Sequence, residues 1–385
     1  MADLPVVHWS EGGHAREARW RSERGAPPPT RVLVVDDRLT ADDAYGHACQ
    51  GVALLWRGDF QNARQMLTSL ASRADRRQRK SGKAAAAPEP AALAEVFNLQ
   101  RQARSQRART LGMLLVELNE DYAIALRRAP DIRSACTEAF GVGQGRAVVS
   151  LRELQGIIGA HEWRLKGIDI PAAGGRIHPH YGVFAPIRSE YVGLVAQAPL
   201  PAALAGVDLA FDIGTGTGVL AAVLARRGIG RVVATDQDAR ALACARENLE
   251  RLGWAPRVDV QQTDLFPEGR AALVVCNPPW VPARPSSALE QAVYDPESRM
   301  LLGFLRGLAA HLAPGGEGWL ILSDLAEHLG LRSRTQLLDA FEAAGLQALE
   351  RIDVLPTHPR VADATDPFHA ARKAEVTSLW RLRVR

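Results

Sequence analysis

Short apolar runs recur through the second half of the chain, each followed by a turn signal or by a segment of helical period. Ala271-Ala272-Leu273-Val274-Val275-Cys276 is apolar at every position, the pattern of a strand buried on both faces of a parallel sheet. Val207 to Phe211 (broken by Asp208), Arg231 to Thr235, Val258 to Gln262 and Gly318 to Leu322 are further runs of strand length. Between the first two, Val219-Leu220-Ala221-Ala222-Val223-Leu224-Ala225 has the pattern of a helix. Strands alternating with helices predict an α/β fold with a Rossmann-like sheet over residues 151–385. At its start, Lys166 to Ile170, a turn at Ala173-Gly174-Gly175 and Arg176 to His178 predict a β-hairpin.

Residues 1–150 are patterned differently. Thr40-Ala41-Asp42-Asp43 fits an Asp-containing capping box, and Ala44, Ala48, Val52, Leu55 and Trp56 follow at helical spacing. Arg57-Gly58-Asp59 reads as a turn, and Phe60, Met66, Leu67 and Leu70 mark a second helix. The expectation is an αα-hairpin within a mainly helical auxiliary or substrate-recognition region. Arg31 to Asp37 has the form of an acid-tipped first strand, but no alternation of strand and helix is evident after it, so it is set aside.

Composition is compatible with two domains: 385 residues, 47% hydrophobic and 23% charged, suffice for two separate cores. No stretch approaches the ~20 apolar residues of a membrane span. Met1-Ala2-Asp3-Leu4-Pro5 has neither the basic flank nor the apolar core of a secretion signal, so a cytoplasmic location without membrane contact is expected. Cys49, Cys136, Cys244 and Cys276 contain no C-x-x-C pair and predict reduced, mostly buried thiols. Charge is uneven. Between residues 71 and 110 ten bases face three acids, a net of +7 in a chain of +4. Arg73, Arg76, Arg77 and Lys80 share a helical face, and Ala84 to Ala92 reads as a flexible link. Such a block suits contact with phosphates of RNA or with a ribosome, or is a solvated face.

The candidate chemistry sits where the apolar runs end. Asn277-Pro278-Pro279-Trp280 closes the most apolar of them. Two prolines, with fixed φ and no amide hydrogen, end the ladder and hold the preceding residue extended. That would present the Asn277 side-chain oxygen and the Pro278 carbonyl as neighbouring acceptors beside the flat Trp280 ring, a clamp for a planar NH2 group. A proline-rich turn after a core strand explains the same four residues. Upstream, Asp212-Ile213-Gly214-Thr215-Gly216-Thr217-Gly218 joins strand to helix, a loop that lets a nucleotide-like ligand approach the backbone and the helix N-terminus. Its spacing is G-x-G-x-G, not the dinucleotide G-x-G-x-x-G. Asp236 ends the next strand 18 residues past Gly218, near the ~20 expected of a ribose-binding carboxylate. Thr263-Asp264-Leu265-Phe266 ends the third, so three successive strands carry an acid at their carboxyl ends, where open α/β sheets bind ligands.

In this order and spacing the motifs resemble the class I S-adenosylmethionine-dependent methyltransferases, in their amine-methylating branch. That branch includes the family that methylates the glutamine amide of peptide-chain release factors and relatives that methylate exocyclic amines of guanine or adenine. The resemblance spans roughly residues 165 to 385 and continues through Val293-Tyr294-Asp295-Pro296-Glu297 and Leu312-Ala313-Pro314-Gly315-Gly316. It implies a seven-stranded sheet and S-adenosylmethionine as cofactor. Gly214, Thr215, Gly216 and Gly218 would flank its methionine part, with Asp212 beside its amino group. Asp236 would bind the ribose, and Asp264 with Leu265 the adenine. Asn277, touching cofactor and acceptor alike, would hold the target amine with Pro278, and Pro279 and Trp280 would complete the catalytic motif. Val183-Phe184-Ala185-Pro186-Ile187-Arg188-Ser189-Glu190 matches only part of the Pro-Arg-Pro-Glu-Thr-Glu run usual in the release-factor enzymes.

The reaction so implied is methyl transfer to a planar amine nitrogen, of a protein glutamine or, alternatively, of a guanine or adenine in RNA or DNA. A cofactor-binding interaction module without activity is a third reading, which the intact Asn-Pro-Pro-Trp opposes. His178-Pro179-His180-Tyr181 holds two close histidines without further ligands nearby, so a structural role is expected and not a metal site. Thr357 to Lys373, with His358, Arg360, His369, Arg372 and Lys373, is an insertion that covers a substrate or is a plain surface excursion.

Overall fold

The computed structural model describes residues 4–81, 93–285, 290, 292–357 and 366–385, with backbone alone for 78–81. The chain divides into two compact units, Met1–Pro88 with Glu95–Glu162 and Glu89–Ala94 with Trp163–Arg385. No helix among the described residues is long and apolar enough to cross a membrane.

In the first unit a hairpin of β1 (Val6–Glu11) and β2 (His14–Arg21) precedes β3 (Val32–Val35), α1 (Ala41–Cys49), β4 (Ala53–Trp56), α2 (Phe60–Ser81) and α3 (Leu93–Leu111). There follow β5 (Leu114–Leu118), α4 (Arg133–Phe140), β6 (Ala147–Ser150) and α5 (Leu151–Lys166). The strands form one six-stranded sheet, β1-β2-β6-β5-β4-β3, in which β3, β4 and β5 run parallel. The expectation of a mainly helical region did not include this sheet, although helices still hold more of its residues than strands do. Thr40 does cap α1, accepting from Asp43 N. Gly51, at φ 73°, then turns the chain out of the helix, and the four buried residues Ala53-Leu54-Leu55-Trp56 form an inner strand. A short apolar run fits a buried strand or a helix equally well, and the glycine decides between them. The αα-hairpin is accordingly replaced by a strand between two helices, and Arg31 to Asp37, set aside above, contains the first of the alternating parallel strands. The division expected at 150/151 lies at 162/163, because Leu151 and Leu154 of α5 belong to the same core as Trp56 and Leu67. In the basic block, Arg73 is paired with Asp42 and Arg107 with Asp75. Lys83, the link Ala84 to Ala92 and the side chain of Lys80 lie outside the described residues.

In the second unit β7 (Ile168–Ile170) and β8 (Gly175–Ile177) form a separate antiparallel hairpin. Then come α6 (Glu190–Gln197), β9 (Leu209–Ile213), α7 (Val219–Arg226), β10 (Arg231–Asp236), α8 (Ala239–Arg251), β11 (Val258–Gln262) and β12 (Ala271–Cys276). The remainder is α9 (Arg299–His311), β13 (Leu312–Ser323), α10 (Leu325–His328), α11 (Arg334–Ala343), β14 (Leu346–Val354), α12 (His369–Ala374) and β15 (Thr377–Val384). Seven strands are ordered β11-β10-β9-β12-β13-β15-β14, with β9 to β13 parallel and β15 antiparallel to both its neighbours. Helices cover both faces. Leu220, Val223 and Leu224 of α7 pack on one, and Leu301, Phe304 and Leu308 of α9 with Phe341 of α11 on the other. This double cover is why β12 is apolar, and buried, at all six positions. The chain lays β9, β10 and β11 toward one edge, then returns to place β12 on the other side of β9. Open α/β sheets bind ligands at such a reversal of strand order.

Glu317 joins β13 to β15: its buried carboxylate accepts from Arg381 Nε at 2.9 Å and Nη2 at 2.8 Å and from Trp319 Nε1 at 3.0 Å. Among the described residues, Glu317→Ala leaves that guanidinium only Glu350 as an acidic partner. It should cost about 3 kcal/mol, the lower end for breaking a buried pair. The check is a lower urea midpoint for this unit with unchanged slope.

Candidate active site

The reversal of strand order brings two loops together. Ile213 of β9 pairs with Cys276 of β12, so Gly214 and Asn277 are the next residues of adjacent strands. Gly214, Gly216 and Gly218 have φ of 72°, 55° and 80°, a region that side chains rarely enter. A Cβ on Gly218 would press on the Ala245 backbone of α8, whereas one on Gly216 would meet nothing within 4 Å. The loop is thus packed on one side and open on the other.

Asp212 is the buried anchor of this loop. One of its oxygens accepts from Thr215 Oγ1 at 2.6 Å and from Ala221 N of α7 at 3.0 Å, and burial pushes its pKa up to about 6. Asp236 accepts from Gly216 N and Asp238 N, both at 3.0 Å, and burial raises its pKa as well. Among the described residues neither acid forms an ion pair, and each carboxylate keeps free lone pairs. Thr263 N donates to Asp236 O at 3.2 Å and Thr235 Oγ1 to Leu265 O at 2.6 Å, which ties the ends of β10 and β11 together. Leu265 is held at φ 65°, a strained conformation for a residue other than glycine, and the Asp264 side chain beside it is exposed.

At the clamp, Asn277 Oδ1 accepts from Trp280 Nε1 at 2.8 Å. Pro278 is buried, and Asn277, Pro279 and Trp280 are half-buried. The segment that follows is tied down: Asp295 N donates to Val281 O at 2.9 Å, and the buried Asp295 carboxylate accepts from Met300 N and Leu301 N at the start of α9. The Arg188 guanidinium lies 5.0 Å from the centroid of the Trp280 ring, where the sequence pattern led us to expect an open stacking face. Glu190 and Glu375 hold it at 2.9 and 3.0 Å, and both acids are almost fully buried. Arg188, Asp295 and Glu375 had no role in the sequence reading. The Asp-Pro pair at 295–296 is a helix-start signal that points to Asp295, but nothing local links Arg188 to Glu375, 187 residues away.

The other candidates are used by the fold. His178 Nδ1 lies 2.6 Å from Arg164 O, and His180 Nε2 lies 2.7 Å from Glu247. In the insertion, His358 and Arg360 lie outside the described residues, and Arg372 of α12 pairs with Asp366 at 2.7 Å.

Residues 176–346 match the family described as "Methyltransferase small domain". Over 184 residues the chain is 35% identical to the release factor glutamine methyltransferase of Cereibacter sphaeroides, covering 44% of this chain and 61% of that one. With the enzyme of the same name from Geobacter sulfurreducens it shares 31% identity over 218 residues, 52% of this chain and 71% of that one. The chain belongs to the class I S-adenosylmethionine-dependent amine methyltransferases. A tRNA1(Val) (adenine(37)-N6)-methyltransferase of Vibrio parahaemolyticus is 36% identical over 101 residues, 25% of this methyltransferase and 40% of that one. This chain therefore spans less than two thirds of the Cereibacter and Vibrio relatives.

S-adenosylmethionine, the cofactor of this family, supplies an electrophilic methyl group on sulfur. The residues present fit it: the buried Asp212 and half-buried Asp236, without an ion pair among the described residues, would suit its ammonium group and ribose hydroxyls, and the open side of Gly216 leaves room beside them. Below about pH 6 a cofactor-free Asp212 holds its proton, and only the ionised form attracts an ammonium group. Cofactor affinity should therefore weaken as pH falls through about 6, binding there should release protons, and Asp212→Asn should flatten the profile in calorimetry. Without ligand the same shift makes the unit less stable as pH rises from 3.8 to about 6, because folded Asp212 binds its proton more tightly than the unfolded residue. Asp236→Ala should lower cofactor affinity roughly tenfold or more, the loss of one or two hydrogen bonds to a charged group; unchanged affinity would refute a ribose contact.

Proposed function

We propose that this chain transfers a methyl group from S-adenosylmethionine to a planar amine nitrogen held by Asn277 and Pro278, and that the acceptor is a glutamine amide of a protein. The observation that carries this reading is the position of the clamp. Asn277-Pro278 leaves β12 directly beside the glycine loop that leaves β9, at the reversal of strand order. Asp212, Gly214, Thr215, Gly216, Gly218 and Asp236 would hold the methionine and ribose parts of the cofactor, and Asp264 with Leu265 its adenine.

The chemistry needs little more than placement. An amine conjugated to a carbonyl or an aromatic ring is a poor nucleophile because its lone pair is spread into the π-system. Two acceptors on its N–H groups stabilise the positive charge that grows as the nitrogen–carbon bond forms and the carbon–sulfur bond breaks. Pro278 O accepts no hydrogen bond among the described residues, and Asn277 Oδ1, already bonded to Trp280, has a second lone pair. The extra proton on nitrogen leaves to solvent once the methyl group is attached, so positioning supplies most of the rate and no strong base is required.

The two relatives named as release factor glutamine methyltransferases support a protein amide. The relative named as a tRNA adenine-N6 methyltransferase supports the alternative, a nucleobase amine. The basic 71–110 block favours the alternative less than its net charge suggests, because Arg73 and Arg107 are already paired with acids of their own unit. In either case the first unit would serve in recognising the substrate.

Incubating the chain with radiolabelled S-adenosylmethionine and a cell extract should leave label in protease-sensitive material; label confined to nuclease-sensitive material would select the nucleobase reading. Asn277→Ala should keep cofactor affinity while turnover falls roughly 10²-fold or more, as when a transition-state donor or acceptor is removed. Near-normal turnover would count decisively against the clamp.

A further inference from the structure

We infer that Trp280 acts on the reaction through Asn277, as a positioning residue whose indole N–H sets the carboxamide, and not as a plate on which the acceptor stacks. The inference rests on the amine-methylation reading above and deepens it.

The indole nitrogen only donates, so the Asn277 atom 2.8 Å from it must be the oxygen, and the amide NH2 is turned to the opposite side. This choice matters to the chemistry. A carboxamide rotated by half a turn would present N–H groups to an amine that also offers N–H groups, and the clamp would repel what it has to hold. Pro278 and Pro279 already restrict the backbone here, which leaves the side-chain torsions of Asn277 as the remaining freedom. The Trp280 N–H removes that freedom before any substrate arrives and occupies only one of the two lone pairs on the oxygen.

The ring itself is poorly placed for stacking. The Arg188 guanidinium covers it at 5.0 Å, and the ring packs against the hydrophobic clusters on both sides of the sheet. Arg188 is not free to swing away, because doing so would leave Glu190 and Glu375, both almost fully buried, without their cation. Ring, guanidinium and carboxylates thus form a support that ends on Asn277 Oδ1.

Trp280→Phe separates the two roles, since it keeps a flat aromatic face and removes the N–H. Methyl transfer from labelled S-adenosylmethionine is followed against increasing amounts of the extract fraction that accepts methyl groups from the unaltered chain. A positioning role predicts that kcat falls about tenfold or more while apparent KM and calorimetric cofactor affinity stay within about twofold. A stacking plate predicts near-normal kcat with any loss confined to KM, and that result would overturn the inference. Should the Phe variant fail to fold, replacing Trp280 by β-(3-benzothienyl)alanine keeps the shape of the indole with sulfur in place of N–H, and the same split is expected. A second readout needs no turnover. The Trp280 indole 15N–1H resonance, assigned by its loss in Trp280→Phe, should move in Asn277→Ala, and an unmoved resonance would show that the bond is absent. A wild-type chain that methylates nothing would overturn the function and this role with it, whereas an active wild type with an equally active Phe variant would remove the positioning role alone.

Discussion

The parallel pairing of β9 with β12 is the constraint on which the rest of the site depends. It places Gly214 and Asn277 side by side although more than sixty residues of chain separate them in sequence. β10 and β11 continue to one side of β9 and β12 lies on the other, so this pair sits at the reversal of strand order where open α/β sheets bind ligands. Helices on both faces make the arrangement rigid. β12 and β9 are almost wholly apolar because they have no solvent face, and what polarity they carry is concentrated in the buried Asp212.

That acid shows how the site is held ready. A buried carboxylate without a cation is costly, and here it is stabilised by one hydroxyl and one helix N–H, enough to fold the glycine loop but not to neutralise the charge. Asp236 repeats the device from the next strand. The loop is therefore shaped before a ligand binds, and its two acids remain in need of the donors a ligand brings. On the proposed acceptor side a similar support is present: the indole of Trp280 donates to Asn277, and Arg188, held by Glu190 and Glu375, lies over the indole.

Much of this was legible locally. The strand ending at Cys276 shows as six consecutive apolar residues, the glycine loop as positions needing positive φ, and Asp236 by its distance from Gly218. The first unit was misread for a physical reason. A strand of four residues, Ala53 to Trp56, carries no alternation when buried on both faces, and its apolar residues happen to continue the helical spacing of Ala44 and Ala48. Periodicity cannot separate the two cases, and Gly51 was the better guide.

By itself the sequence determined which backbone each segment adopts at the site: where prolines stop a strand, where glycines let the chain turn back, and where an acid sits at or near the end of each of three strands. These are properties of a residue and its immediate neighbours, so they survive without knowledge of the fold. Only the tertiary structure decided what each side chain is bonded to. The Trp280 ring, an open face by composition, is covered by Arg188; the Asn277 oxygen, free by composition, already holds an indole N–H; and the basic residues Arg73 and Arg107 are paired with acids. Apart from the Asn277–Trp280 bond, which spans three residues, such contacts join residues distant in sequence, as Arg188 and Glu375 are, and their energies arise from burial and close approach, which no local pattern encodes.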